Sequence, residues 1–240
     1  MKLPVTYLFV PGNRPERFDK AAAAGADAII LDLEDAVAPA DKDPARAHVR
    51  AWLAAHPEAL PRAVVRINDG ATPWFGADVA MLRDAGALYA MLPKTETPEH
   101  VAAVLAMLPA GGLVLPLIES ARGVLNLAAV AAAPGVQRLA FGTLDYAVDL
   151  DLSGDERGLI VPATQIALAS RCAGLGSPIY GVTPAIGDEL QLLADLEFGR
   201  AFGFGAKLCI HPKQVAAIHR ALQPTAAEID WARRVLAVAE

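Results

Sequence analysis

The nine residues LPLIESARG, Leu115 to Gly123, hold the unit from which the fold is read: an apolar strand, a glutamate, and a helix start. Leu115, Leu117 and Ile118 form a run without polar alternation, as in a strand covered on both faces. Arg122 and Gly123 then open a helix-like stretch. A carboxylate that ends such a strand is costly to bury unless a partner meets it. Glu119 therefore raises the question of which other charges reach the same place.

The unit recurs along the chain. Strand-like runs are TYLFVPG, AIILDLEDA, RAVVRIN, ALYAMLPK, LVLPLIES, VQRLAFG, PIYGVT and AKLCIHP. Between them, helix-like stretches span Pro15–Ala24, Asp41–Ala55, Trp74–Asp84, Pro98–Met107, Ala121–Ala132, Pro162–Ala173, Asp188–Ala201 and Pro212–Ala221. Thr97-Pro98 is helix-start chemistry, a capping hydroxyl followed by a proline in the first turn, and Asp41 serves the second helix. Eight strand–helix units predict a parallel sheet closed into a (β/α)8 barrel, a single α/β domain over residues 1–222. Residues 223–240, with TAAEIDWARRVLAVAE, predict an extra amphipathic helix packing on the barrel or on an oligomer partner.

Composition narrows the function. Aromatics are only 6% of a chain that is 54% hydrophobic, which suits closely packed helices on a sheet better than a β-sandwich. A net charge of -6 gives no general attraction to nucleic acid or to an anionic membrane, so an anionic ligand must be held by local basic residues. Cys172 and Cys209 have no zinc spacing and read as reduced core residues. The opening MKLPVTYLFVPGN lacks a signal-peptide pattern, and no run reaches the ~20 apolar residues of a membrane span. The expectation is a soluble cytoplasmic protein.

In such a barrel the C-terminal strand ends converge on the functional face. Here they carry Asp32, Glu34 and Asp35, then Arg66 and Asn68, Lys94, Glu119, and Asp145 in AFGTLDYAVDL. Glu119 and Asp145 form a candidate Mg2+ pair, because a hard cation takes one or two carboxylates and keeps several waters. Glu119 fits equally a salt bridge to Arg122, and Asp145 a helix cap or a plain loop acid. Arg66 would meet desolvation without an anion; it suits a substrate carboxylate or enolate oxygen, an ion pair with Glu34 or Asp35, or both. By strand alternation Asp32 and Glu34 share a face and Asp35 points elsewhere, with Asp32 in a structural hydrogen-bonding role. Arg14, Arg17 and Lys20 make a locally basic loop that could hold phosphates or be a solvated helix face. No glycine-rich nucleotide motif is present, and His211 stays open between general base and structural residue.

Taken together, YLFVPGNRPERFDKA, ADAIILDLEDAVAP, VVRIN, LPLIESARGV, LAFGTLDYAVDL and KLCIHPKQV resemble the HpcH/HpaI aldolase and citrate lyase β-subunit family, in its acyl-CoA lyase branch. The resemblance covers Tyr7 to Val215. It implies Mg2+ held by Glu119 and Asp145, with Arg66 on a substrate oxygen and Glu34 and Asp35 lining the metal's water shell. It also implies a coenzyme A site at Phe9, Arg14 and Lys20, with Leu144 beside the substrate, and a homotrimer or higher oligomer. The implied reaction cleaves malyl-, citramalyl- or citryl-CoA to acetyl-CoA and a 2-oxo acid. Longer relatives carry a C-terminal lid with an acidic residue, for which Asp230 is a poor substitute, so the general acid is open. An aldolase acting on free 2-oxo acids and a non-catalytic subunit binding metal and oxo acid are the competing expectations.

Overall fold

The apolar runs form eight parallel strands: β1 (Thr6–Pro11), β2 (Ala28–Asp32), β3 (Ala63–Arg66), β4 (Tyr89–Leu92), β5 (Leu113–Ile118), β6 (Ala140–Phe141), β7 (Ile179–Tyr180) and β8 (Ala206–Cys209). A computed structural model describes residues 3–239. The strands close in sequence order, β8 pairing with β1. The (β/α)8 expectation therefore holds.

Both faces of the sheet are buried. Tyr7, Ala28, Ile30, Val64, Leu115 and Leu117 fill the barrel interior, while Leu8, Ile29, Leu31 and Val65 pack outward on the helices. This period of two has a direct consequence at the strand ends. One step beyond the interior layers come Phe9, Asp32, Arg66 and Glu119, which all turn into the mouth. Register completes the placement, with Pro11 beside Asp32 and Asp32 beside Arg66.

The helices are α1 (Phe18–Ala22), α2 (Lys42–Ala55), α3 (Phe75–Asp84), α4 (Pro98–Leu105), α5 (Ala121–Leu125), α6 (Leu127–Ala131), α7 (Thr143–Asp149), α8 (Arg157–Cys172), α9 (Glu189–Ala201), α10 (Pro212–Leu222) and α11 (Ala226–Ala239). Three differ from the sequence reading. The stretch Ala121–Ala132 breaks into α5 and α6 at Asn126, whose amide leaves the helix path to donate to the Glu96 carbonyl at 2.8 Å. The helix expected to start at Pro162 starts at Arg157, with Pro162 buried inside it. A proline this near the N-terminus forfeits one backbone hydrogen bond. Asp145 lies in the first turn of α7, a helix not expected there.

Cys209 is buried as expected, but Cys172, at the last turn of α8, is exposed and is not a core residue. Among the described residues, no helix is long and apolar enough to cross a membrane. Along α11, Trp231 and Leu236 are more than three-fifths exposed.

Candidate active site

Asp32 organises the mouth. Arg66 donates to both its oxygens, Nε to Oδ1 and Nη2 to Oδ2, each at 2.7 Å. The same carboxylate accepts from the backbone N–H of Glu34 at 2.9 Å and of Ala36 at 3.3 Å, so it also shapes the turn after β2. The hydrogen-bonding role expected of Asp32 is the one it has. Arg66 Nη1 lies 2.9 Å from Glu34 Oε2 and 3.3 Å from Asp35 Oδ2, and its guanidinium sits 4.8 Å from the centre of the Phe9 ring. Arg66 is thus the ion-pair partner of three acids. Asp35, expected to point elsewhere, reaches it because strand alternation stops at Asp32 and the turn brings the side chain back.

A second cation fixes the same turn from behind. Lys42, at the start of α2 and buried, donates to the carbonyls of Leu33 (2.7 Å) and Glu34 (2.8 Å) and to Asn68 Oδ1 (2.6 Å). Asn68 is in turn held by Asp78, which also pairs with Arg46 at 2.7 Å. The sequence reading noted Asn68 but missed Lys42 and Asp78; nothing in the pattern of an amphipathic helix marks its first lysine as buried.

Glu119 follows β5 and is 3% exposed. Its Oε1 accepts the Lys94 N–H at 2.7 Å, while its Oε2 is buried without a partner. Arg122, the alternative partner, lies instead 3.7 Å from Glu96. Gly142 makes the space: a Cβ there would stand 2.6 Å from the Glu119 Cβ. Glu119, Lys94 and Asp145 line one cavity of about 580 Å3, together with Ser120, Glu96 and His100. Among the described residues Asp145 forms no ion pair.

Electrostatics follow from crowding. Burial first, then the neighbouring Glu34 charge, raise the Glu119 carboxyl well above the usual range. Burial pushes Glu34 up to about 6, against the pull of Arg66 and Lys94. Two carboxylates kept from full ionisation beside an orphaned oxygen are what a cation would relieve. Among the described residues no three His, Cys, Asp or Glu side chains converge as a metal cage. A pair of acids with room for water fits a hard divalent cation such as Mg2+ and does not fit Zn2+.

The remaining candidates lie farther out. Arg14 pairs with Glu16 at 2.8 Å, Lys20 and Leu144 are exposed, and the basic loop thereby loses part of its charge. His211 is the N-cap of α10, its Nδ1 accepting the Lys213 N–H at 3.2 Å with Gln214 completing a capping box, so its role is structural. A larger cavity, about 1000 Å3, opens at the N-terminal end of the barrel. None of the orphaned buried polar atoms among the described residues lines it, and the candidate acids Glu34, Asp35, Glu119 and Asp145 lie at the other end.

Residues 6–212 match the HpcH/HpaI aldolase/citrate lyase family. A (3S)-malyl-CoA thioesterase of Cereibacter sphaeroides is 36% identical over 98% of this chain and 82% of its own. A citrate lyase subunit beta-like protein of Mycobacterium tuberculosis is 37% identical over 96% of this chain and 83% of its own. Among solved structures, the M. tuberculosis protein CitE in complex with magnesium, acetoacetate and coenzyme A superposes with a TM-score of 0.84. It is 35% identical and covers 98% of this chain and 86% of its own. Fold and sequence agree: the chain belongs to the HpcH/HpaI aldolase/citrate lyase family.

Proposed function

We propose that the protein is a Mg2+-dependent carbon–carbon lyase that splits a short 3-hydroxy dicarboxyl-CoA, of the malyl-, citramalyl- or citryl-CoA type, into acetyl-CoA and a 2-oxo acid. The observation that carries this reading is Glu119, a buried carboxylate with one oxygen tied and the other free, in one cavity with Asp145. The names of the relatives support the substrate class: one acts on malyl-CoA, and a solved neighbour holds magnesium, an oxo acid and coenzyme A.

Glu119 and Asp145 would hold the cation, whose chemistry when bound is to stabilise negative charge on an oxo-acid oxygen. The chain's own groups do the rest. Arg66, fixed by Asp32, keeps a positive charge at the mouth for substrate oxygen, with Glu34 and Asp35 adjusting to admit it. Glu34 at about 6 can exchange a proton near neutral pH. In this scheme it accepts the substrate hydroxyl proton as the C=O forms. The C–C bonding pair then passes to the thioester enolate, whose carbon takes a proton back. Phe9, Arg14, Lys20 and Leu144 are the proposed contacts for coenzyme A and substrate. We place the enzyme in the cytoplasm as a homotrimer, with α11, which exposes Trp231 and Leu236, at the partner surface.

The thioesterase name favours a second reading of the same site, in which water splits the thioester. Products separate the two. Each CoA ester is incubated with Mg2+ or EDTA, following 2-oxo acid release in one assay and free thiol in another. Metal-dependent 2-oxo acid release without thiol, lost in Glu119→Ala, is expected. Thiol release without 2-oxo acid would establish the thioesterase. Silence on every ester would refute both and leave an aldolase on free 2-oxo acids or a binding subunit.

A further inference from the structure

Lys94 has a backbone conformation that asks for an explanation. It follows β4 with φ of 46°, and the described residues include one other non-glycine residue of positive φ, Asp151. Lysine rarely enters this left-handed region, and such outliers persist where their surroundings hold them. Both ends of the residue are occupied. Its N–H donates to Glu119 Oε1 at 2.7 Å, and its ammonium to Glu34 Oε1 at 2.8 Å. It therefore ties the acid after β5 to the acid after β2. The other oxygen of Glu34 faces Arg66 at 2.9 Å, so that carboxylate is clamped between two cations.

The clamp has a chemical meaning if Glu119 and Asp145 hold a cation, the reading on which this inference rests. Glu34 is a third buried acid close enough for its charge to act on Glu119. Unclamped, it could swing to the cation as a further ligand. Each added protein ligand removes a position that a chelating substrate or its waters would use. We infer that Lys94 is a positioning residue that sets the ligand count: its amide presents Glu119 to the cation, and its ammonium holds Glu34 away. The position where substrate must enter is thereby kept open.

The test uses the full chain and Mn2+ in place of Mg2+, with free Mn2+ measured by electron paramagnetic resonance. Lys94→Met removes the ammonium and keeps the stem. Lys94→Gly removes it and fits a positive φ without strain, so it stays informative if the methionine variant folds poorly. Both should bind Mn2+ on the order of tenfold more tightly than the parent, as expected for one more charged ligand. Both should also lose turnover, while Lys94→Arg stays near the parent. In a Glu34→Gln background, Lys94→Met should change Mn2+ affinity little.

Unchanged or weaker Mn2+ binding in both ammonium-free variants would overturn the inference. So would tightening that persists with Glu34→Gln, a bare charge effect rather than release of a ligand. Failure of the parent to bind Mn2+, or equal binding by Glu119→Gln, would overturn the metal reading itself and the inference with it.

Discussion

Replacing Lys42 with methionine tests whether the acidic turn is held from behind. The side chain is 5% exposed, and its ammonium gives three short hydrogen bonds, to Leu33 O, Glu34 O and Asn68 Oδ1. Methionine keeps the length and removes all three donors, leaving two carbonyls and an amide oxygen short of partners. Hydrogen bonds to a charged group contribute about 1.5–3 kcal/mol each, which gives a gross loss of roughly 5–9 kcal/mol. Against this stands the relief of no longer burying an ammonium, whose pKa burial lowers. A buried acceptor left unsatisfied costs about 1–3 kcal/mol, and with three acceptors set against that relief we expect a net cost of about 3–4 kcal/mol. For a domain of this size that corresponds to a melting point lower by about 6–16 °C. Urea unfolding, with the m value compared between proteins, measures it directly. Activity should fall at temperatures where the variant is still folded, because the turn bearing Glu34 and Asp35 loses its anchor. A cost below about 1 kcal/mol with an unchanged m value would refute the reasoning and leave Asp32 and Arg66 as sufficient to hold the turn.

Gly142→Ala would place a methyl 2.6 Å from the Glu119 Cβ. It should cost about 1–3 kcal/mol by overpacking and weaken Mn2+ binding at least tenfold as Glu119 is displaced; unchanged Mn2+ titration would count against Glu119 as a ligand. Lys207 is fully buried beneath Tyr180, its ammonium donates to the Gly181 carbonyl, and burial lowers its pKa from 10.5 to about 8. Its folded pKa lies below its unfolded one, so the unfolded chain binds more protons between about pH 8 and 10.5, and this group's penalty is relieved as pH rises through that window. Cys209, raised to about 12 by burial, acts in the opposite sense above its unfolded value of 9.0. The comparison is therefore between the parent and Lys207→Met at each pH. From pH 7 to 10 the difference should shift toward the parent, by on the order of 2–3 kcal/mol in urea unfolding; a flat difference would mean that burial leaves the lysine's pKa at its unfolded value.

How much of this was open to sequence reading depends on the range of the interaction concerned. The strands were readable because a sheet buried on both faces leaves an unbroken apolar run, and one count of two from Leu115 and Leu117 puts Glu119 at the mouth. Arg66 was readable as a cation in need of an anion, but its main partner was misplaced. The neighbours Glu34 and Asp35 drew the attention, whereas the β2–β3 register sets Asp32 directly beside it. Register is a property of two strands and is written in neither alone. Arg14, open in the sequence between a phosphate holder and a solvated helix face, pairs with Glu16 two residues on. Helix limits failed where a tertiary bond outweighed local preference, as at Asn126, or where a helix ran on through a buried proline at its sixth residue, at the cost of one backbone hydrogen bond, as at Pro162.

Lys94 marks the limit of such reading. Its type and its place at a strand end were visible, but its function rests on the sign of one dihedral angle, which no pattern of hydrophobic residues encodes. A buried acid declares itself by its cost, since glutamate after an apolar strand needs a reason. A residue that orients the acid declares itself only when the backbone around it is known. Sequence-level reasoning is thus better at finding groups that would hold a metal than at finding groups that decide how many of them do. The same asymmetry predicts where substitutions in this barrel should mislead: at Lys94 and Gly142, where the side chain's chemistry says less than the geometry it serves.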